Sequence, residues 1–538
     1  MSSRISSEHF RCAPASRAGL RALTLGTALT ALAGCMSLDP DYARPAAPVP
    51  LQYPAASGEL RTAGSLGESA GPAGTPVPNL SWRAYFTDPL LQQLIATALA
   101  NNRDLRKALL RVEEARASYS IQRSELFPNV DLGAEGTRSR TPADLNIQRR
   151  AQVGGQYRFE VGLTSWELDL WGRVRSLEGA ALESWLATDA ARQAVYVALV
   201  AEVADGYLGL RELDERLEIA RQTVATREES LRIFQRRYEV GSSSKLTVTE
   251  VQTLLTQAQT LYLQLAQQRA QQINALRVLV GGDPGALAQQ APFDETTVLA
   301  PLAPGLPSEL LTQRPDIIAA EHRLRAANAD IGAARAAFLP RIAITTSIGT
   351  ASAELNGLFE SGSKAWFFIP TISLPIFDGG RLRANLELSE VRRELGVAEY
   401  EQTIQTAFRE VADALAARHW VNEQLGVARI ARDAQAERAR LAKLRYDNGS
   451  SAYLEVLDAQ RDLLNAEQQL VATRRAQLSS QIAMYRALGG GVEPSAEPAT
   501  AANPAASPGD MLPVAHLPAL LAPSARSAAT AADARPNR

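Results

Sequence analysis

Arg237-Tyr238-Glu239-Val240-Gly241-Ser242-Ser243-Ser244-Lys245-Leu246-Thr247-Val248 returns later in the chain as Arg445-Tyr446-Asp447-Asn448-Gly449-Ser450-Ser451-Ala452-Tyr453-Leu454-Glu455-Val456. Arg, Tyr, Gly, two serines, Leu and Val recur at an offset of 208. The same offset carries Gln252 to Gln460, Gly172-Arg173 to Gly380-Arg381, and Gly281-Gly282 to Gly489-Gly490. Upstream the offset is 212: Asp104-Leu105 matches Asp316-Ile317, Arg111 matches Arg323, Ala115 matches Ala327, Arg123 matches Arg335 and Pro128 matches Pro340. The change of offset falls between Pro128 and Gly172, where a loop absorbs an insertion. An offset held over so much of the chain reads as a tandem duplication, with a period too long for a solenoid.

Outward from the repeated segment the texture is helical. No proline occurs between Pro142 and Pro284, nor between Pro375 and Pro494. The stretch 173–240 reads as one helix, on the order of 100 Å long at ~1.5 Å per residue. Leu210, Leu213, Leu217, Ala220, Val224, Leu231, Phe234 and Tyr238 keep a 3,4 spacing that only Arg227 breaks. Val251, Leu254, Ala258, Leu261 and Leu265 answer it, which is coiled-coil patterning. Gly241-Ser242-Ser243-Ser244 makes the reversal, so 173–281 is expected to be an antiparallel helical hairpin, and 381–489 around Gly449 its second copy. The second seam is thinner, with Ala439 and Ala442 where Leu231 and Phe234 stood.

Between the helices lie short alternating runs. Tyr157, Phe159, Val161 and Leu163 alternate with Arg158, Glu160, Gly162 and Thr164; Ile342, Ile344 and Ile348 alternate with Ala343, Thr345, Ser347 and Gly349. Val130-Leu132-Ala134 and Phe368-Ile372-Leu374 repeat the pattern less fully, the last broken by Pro370. Period two with one apolar face predicts strands, hairpins at about 129–166 and 341–374. Each run has roughly 9–11 residues, the length of a tilted strand crossing a bilayer. Four such strands cannot leave open edges in lipid, and are too few to enclose a lumen. The chain is therefore expected to complete its sheet from identical copies, three of which supply twelve strands.

The ends carry different information. Arg4, Arg11, Arg17 and Arg21 precede an apolar run, Ala22 to Gly34, the layout of an export signal at 1–34. Leu32-Ala33-Gly34-Cys35 resembles the lipobox of bacterial lipoproteins, which implies a mature chain beginning at Cys35 with S-diacylglycerol and N-palmitoyl lipid. Met36, rather than Asp, points by the same resemblance to the outer membrane. The Pro/Ala-rich stretch 35–79 reads as a tether, and 491–538 as an Ala/Pro-rich tail with little to fold on. The body divides into a first repeat at 80–282, a linker at 283–314 and a second repeat at 315–490.

Composition closes several doors. Among 538 residues, 56 basic and 58 acidic side chains leave a net charge of −2, giving no reason to expect nucleic acid. Two cysteines, Cys12 and Cys35, make neither a disulfide framework nor a zinc cluster. His322 and His419 lie without a ligand partner at metal spacing, and neither a phosphate-binding Gly-rich loop nor Gly-x-Ser-x-Gly is present. No enzyme is expected, and no cofactor beyond the covalent lipid.

Trp166-Glu167-Leu168-Asp169-Leu170-Trp171-Gly172-Arg173, Gly305-Leu306-Pro307-Ser308-Glu309-Leu310-Leu311, Arg314-Pro315-Asp316-Ile317 and Pro375-Ile376-Phe377-Asp378-Gly379-Gly380-Arg381 resemble signature stretches of TolC-like outer membrane factors. Within that family they are similar to the lipoprotein (NodT/OprM-type) branch serving resistance-nodulation-division (RND) efflux pumps. The resemblance implies an α+β membrane protein. In it a trimeric twelve-stranded transmembrane β-barrel, four strands per chain, continues into a long periplasmic α-helical coiled-coil barrel. It implies passive conduction of cargo handed over by an inner-membrane RND pump through a periplasmic membrane-fusion adaptor, in the outer membrane of a Gram-negative cell. The family's adaptor-docking tips fall on Val240, Gly241, Ser242 and Ser243 and on Asn448, Gly449, Ser450 and Ser451. Its periplasmic aperture falls on Glu455 and Asp458, one helical turn apart, held partly by Tyr446. Trp166, Trp171 and Trp366 suit either an interfacial belt or ordinary packing. The alternatives are the exit duct of a type I secretion system and a non-transporting coiled-coil lipoprotein; the latter leaves the strands and their duplication unexplained.

Overall fold

The computed structural model of the chain describes residues 37–50, 53, 75–76, 81–285, 302–303 and 313–491. The expected signal 1–34, Cys35 and the tail after Gly491 lie outside the described residues, as do parts of the tether and linker. In chain order the elements are β1 (Thr75–Pro76), α1 (Trp82–Tyr85), α2 (Pro89–Asn101), α3 (Arg103–Ser124), β2 (Val130–Thr141), β3 (Gln152–Glu167), α4 (Arg173–Glu239), α5 (Lys245–Val280), β4 (Leu302–Ala303), α6 (Pro315–Ala336), β5 (Arg341–Ser352), β6 (Lys364–Ser373), α7 (Arg381–Asp447) and α8 (Tyr453–Ala487). The order helix, two strands, very long helix, long helix occurs twice. α3 and α6 have 22 residues each, and α4 and α7 have 67 each, so the repeated lengths follow the repeated sequence.

Local chemistry sets the helix ends. Asp88 caps α2, accepting from the Leu90 and Leu91 amides, with Pro89 at the first helical position. Asn102 caps α3 in the same way, and its Nδ2 reaches Leu279 O at 2.8 Å. α4 and α7 start after Gly172 and Gly380, both left-handed, where a β-carbon is strained. α4 packs along α5, α6 and α8, and α7 packs along α6 and α8. The main core gathers where the long helices cross the shorter ones: Trp82, Tyr85, Phe86, Leu94, Val203, Tyr207, Tyr400 and Tyr485 are all buried there. Tyr85 stacks on Tyr485 at 4.8 Å and donates to Gln481 O at 2.9 Å, so the polar tip is satisfied while the ring fills the core.

Four strands form one antiparallel sheet in the order β2-β3-β5-β6. Its register sorts the side chains. Val130, Leu132 and Ala134 stand opposite Leu163, Val161 and Phe159; Val161 is opposite Ile348, which is opposite Trp366. Thr346 is opposite Phe368 and Ile342 opposite Ile372, so one face is apolar across all four strands. The other face carries Asp131, Glu135, Arg158, Glu160, Ser347 and Gly349, with Ser347 Oγ donating to Glu160 Oε2 at 2.7 Å. A bulge between Leu163 and Trp166, with Ser165 at φ 50°, restores the parity and returns Trp166 to the apolar face opposite Ile344. Pro370 lies on β6, the last strand in the sheet order, opposite Ile344. The polar face is crowded: a β-carbon on Gly349 would meet Phe159 O at 2.1 Å.

The described part of the tether lies against the body. Arg44 Nη2 meets Glu321 Oε2 at 2.8 Å, Tyr42 donates to the same carboxylate at 3.3 Å, and Asn328 Nδ2 donates to Pro40 O at 2.7 Å. Ser176 donates to Asp39 at 2.6 Å, and Tyr53 stacks on Phe408 at 5.0 Å. Asp39 passes so close to Gly332 that a β-carbon there would stand 1.7 Å from its carboxylate oxygen. Glu321 is 5% exposed, and its arginine partners, Arg44 and Arg325, hold its carboxyl below the ordinary range against the upward pull of burial.

Candidate functional site

Each helical hairpin turns on a left-handed glycine. After α4, Gly241 (φ 78°) donates to Tyr238 O at 2.9 Å and Ser242 N donates to Arg237 O at 2.8 Å. After α7, Gly449 (φ 71°) donates to Tyr446 O at 2.9 Å and Ser450 N to Arg445 O at 2.9 Å. These paired bonds satisfy carbonyls a helix end leaves open, and they require the positive φ. The copies then diverge. Ser244 caps α5, accepting from Thr247 N at 3.1 Å, whereas its counterpart Ala452 gives α8 no side-chain cap. Val240, Ser242, Asn448 and Ser450 are exposed, Ser243 is half-buried, and Asn448 folds its amide back on Leu444 O at 2.8 Å. Ser451 Oγ is buried without a partner.

Tyr446, Glu455 and Asp458 flank the second turn, the first at the end of α7 and the others at the start of α8. Glu455 and Asp458 lie in the first two turns of α8, but each carries an arginine from its own chain. Arg445 Nη1 is 2.7 Å from Glu455 Oε1, and Arg461 Nη1 is 3.4 Å from Asp458 Oδ1. On this face of α8 both carboxylates therefore sit in ion pairs. The pairing extends to Asp462, four residues on, where Arg438 at 2.6 Å holds the carboxyl below its usual range. The continued 3,4 spacing of acids was the available signal for Asp462.

Tyr446 ties the two hairpins together. Its hydroxyl accepts from Arg237 Nη1, and its ring lies 4.9 Å from Tyr453. Tyr453 in turn packs 4.3 Å from Phe234 and donates to Ser230 Oγ at 2.9 Å. Phe234, Arg237 and Ser230 belong to α4, whereas Tyr446 and Tyr453 belong to α7 and α8. Arg237 and Arg445 occupy equivalent positions of the two copies, yet the first holds a tyrosine and the second a glutamate. Sequence reasoning used both only as markers of the repeat; the partner of Arg237 lies 209 residues away, and that of Arg445 lies across the turn on the next helix.

The tryptophans divide by environment. Trp366 is 71% exposed on the apolar sheet face, and Trp171 Nε1 donates to Pro340 O at 2.8 Å at the base of the strands. Among the described residues no helix is long and apolar enough to cross a membrane, and no group of three or more His, Cys, Asp or Glu is placed to hold a metal ion.

Comparison with known proteins meets this geometry. The outer membrane efflux protein family model matches residues 94–282 and 306–490, one segment per repeat. The toluene efflux pump outer membrane protein TtgF of Pseudomonas putida is 48% identical over 478 residues, covering 88% of this chain and 98% of that protein. A crystal structure of a membrane protein from Pseudomonas aeruginosa superposes with a TM-score of 0.78 at 44% identity, covering 85% of this chain and 98% of that one. The open state of the Neisseria gonorrhoeae MtrE outer membrane channel gives 0.75 at 35% identity, covering 85% and 98%. Channels of this kind are not enzymes. The chain belongs to the outer membrane efflux protein family, and it is the outer membrane channel of an efflux pump in a Gram-negative cell.

Proposed function

We propose that three copies of this chain form a twelve-stranded barrel in the outer membrane, and that their helical hairpins continue it as a periplasmic tube. Through this tube an RND pump, joined by a membrane-fusion adaptor, expels its cargo. One observation carries the reading: the four-stranded sheet is apolar on one face, polar on the other, and paired on only one side at β2 and at β6. From Trp366 to Ile372 the apolar band spans about 20 Å at ~3.3 Å per residue, close to the height of a barrel's lipid-facing band. Unpaired backbone in hydrocarbon costs several kcal/mol per group, so β6 of one copy is assigned to β2 of the next. The exposed apolar residues of α7, Leu388, Val391, Leu395, Val427 and Ile430, supply a packing face for a neighbouring copy below the membrane. The repeat reads as an internal tandem duplication that lets three chains build a pseudo-sixfold tube.

The turns at 240–243 and 448–451 are proposed as the adaptor-docking tips, and Cys35 as the lipidated first residue of the mature chain. By similarity to the toluene efflux component, the cargo class is small apolar organic compounds, including solvents. The test is to isolate the full chain from outer membranes and to delete its gene. A heat-modifiable trimer that conducts in planar bilayers, an intact mass matching a lipidated Cys35, and toluene hypersensitivity of the deletion are expected. A non-conducting monomer, or a deletion with unchanged tolerance to every compound of a broad panel, overturns the assignment.

A further inference from the structure

Arg227, the residue that breaks the apolar seam of α4, is not turned out to solvent. It is 3% exposed, and its Nη1 has no hydrogen-bond partner. Several other polar groups along the contact between α4 and α8 are paired. Ser479 and Arg475 meet Asp205 at 2.5 and 2.7 Å, Arg474 meets Glu215 at 3.1 Å, and Arg216 meets Gln468 at 2.7 Å. Arg227 instead lines a cavity of about 200 Å³ between these helices, together with Thr223, Thr226, Gln460 and Glu467. Gln460 Oε1 is also buried and without a partner. Thr223 and Thr226 have committed their hydroxyl protons to the Ile219 and Gln222 carbonyls, at 2.9 and 3.0 Å. Burial pulls the Arg227 guanidinium below its ordinary pKa, while burial raises the carboxyl of Glu467.

The cavity opens to solvent on one side, and a cationic donor and a bare acceptor lie buried in its wall. We propose that it binds a small oxyanion bearing a hydroxyl, of the class of dihydrogen phosphate or bicarbonate, with Arg227 holding the anionic oxygen and Gln460 Oε1 accepting from the hydroxyl. A buried guanidinium is costly without a counter-charge, which water does not supply, and Glu467, the carboxyl lining the same cavity, is pushed by burial toward its neutral form. A halide supplies charge but offers Gln460 no proton. The volume is several times the roughly 30 Å³ of one water, so a polyatomic ion fits. A bound ion would join α4 to α8 three residues from Ser230, where Tyr453 makes the next link between them.

The test uses the full-length chain extracted in detergent in its native assembly. Thermal unfolding is followed against inorganic phosphate and, separately, bicarbonate, at constant ionic strength balanced with gluconate. Sulfate and chloride are the hydroxyl-free controls. A saturable rise in Tm with phosphate or bicarbonate that exceeds the controls is expected. It should vanish in Arg227→Met, persist in part in Arg227→Lys, and need about tenfold more ligand in Gln460→Met, the factor of one good hydrogen bond. Phosphate density between Arg227 and Gln460 in a structure of the soaked assembly is the second expected result. Equal shifts with sulfate or chloride, an undiminished shift in Arg227→Met, no shift at all, or water alone in the cavity overturns the site. None of these readouts depends on transport, so failure here leaves the channel assignment intact.

Discussion

Removing the guanidinium of Arg237 is expected to favour an open aperture. Arg237 donates to the Tyr446 hydroxyl, and its guanidinium lies 5.4 Å from the Phe234 ring and 5.9 Å from the Tyr446 ring. A hydrogen bond from a charged donor contributes roughly 1.5–3 kcal/mol when sheltered, and exposure at a hairpin end discounts it to about 1 kcal/mol. The cation–π contact with Tyr446, the one that crosses between hairpins, adds about 0.5–1 kcal/mol. Arg237→Met therefore loosens the link between hairpins by about 1–2 kcal/mol in each copy. If three copies move together, roughly 3–6 kcal/mol separates mutant from wild type, on the order of 10² to 10⁴ in the closed-to-open ratio. Single-channel recording in planar bilayers reads this directly, as longer dwell in high-conductance levels. Tyr446→Phe should give a smaller effect, and the double variant should fall short of the sum, since both changes break one link. Arg445→Met, the equivalent position of the second copy, acts through Glu455 and leaves the Arg237 coupling in place. A stable Arg237→Met assembly with wild-type conductance traces refutes the claim that this cross-hairpin contact restrains the tube.

Other consequences are simpler to test. Glu321 has a carboxyl pKa lowered in the folded chain, so its contribution is complete above the unfolded carboxylate range and lost as pH falls through the folded value. Protection of residues 37–50 from proteolysis should therefore decline on acidification below about pH 4, and Glu321→Gln should remove both the protection and its pH dependence. Gly349→Val places a β-carbon against the backbone of Phe159 and Glu160, so heat-modifiable protein should disappear from outer-membrane fractions; Gly154→Ala, with open space at its β-carbon, should leave it unchanged. Ala452→Ser restores the cap that Ser244 gives the first copy and should add about 1 kcal/mol per helix, seen as a higher Tm.

The large elements were legible because their causes are local and repeated. Proline-free runs, glycine at the turns and a fixed offset locate α4, α5, α7 and α8, and period two locates the strands. What escaped depends on residues far apart. The bulge at Leu163–Trp166 breaks the alternation, and only the pairing with Thr346 and Ile344 reveals that the apolar face continues. Carboxylates at 455 and 458 were readable as a helical face, but their arginines come from another helix and another turn. Arg227 looked like a flaw in the seam, since a sequence pattern cannot tell a buried cation from one turned outward.

The docked segment 37–50 also constrains the order in which the molecule is made. Its contacts reach Ser176 on α4, Glu321, Asn328 and Gly332 on α6, and, through Tyr53, Phe408 on α7. Its full berth therefore exists only once synthesis and export have passed residue 408 and both repeats have folded. A segment translated early is thus among the last to settle. Until then these residues, rich in proline and alanine, lack the partners they hold in the finished molecule.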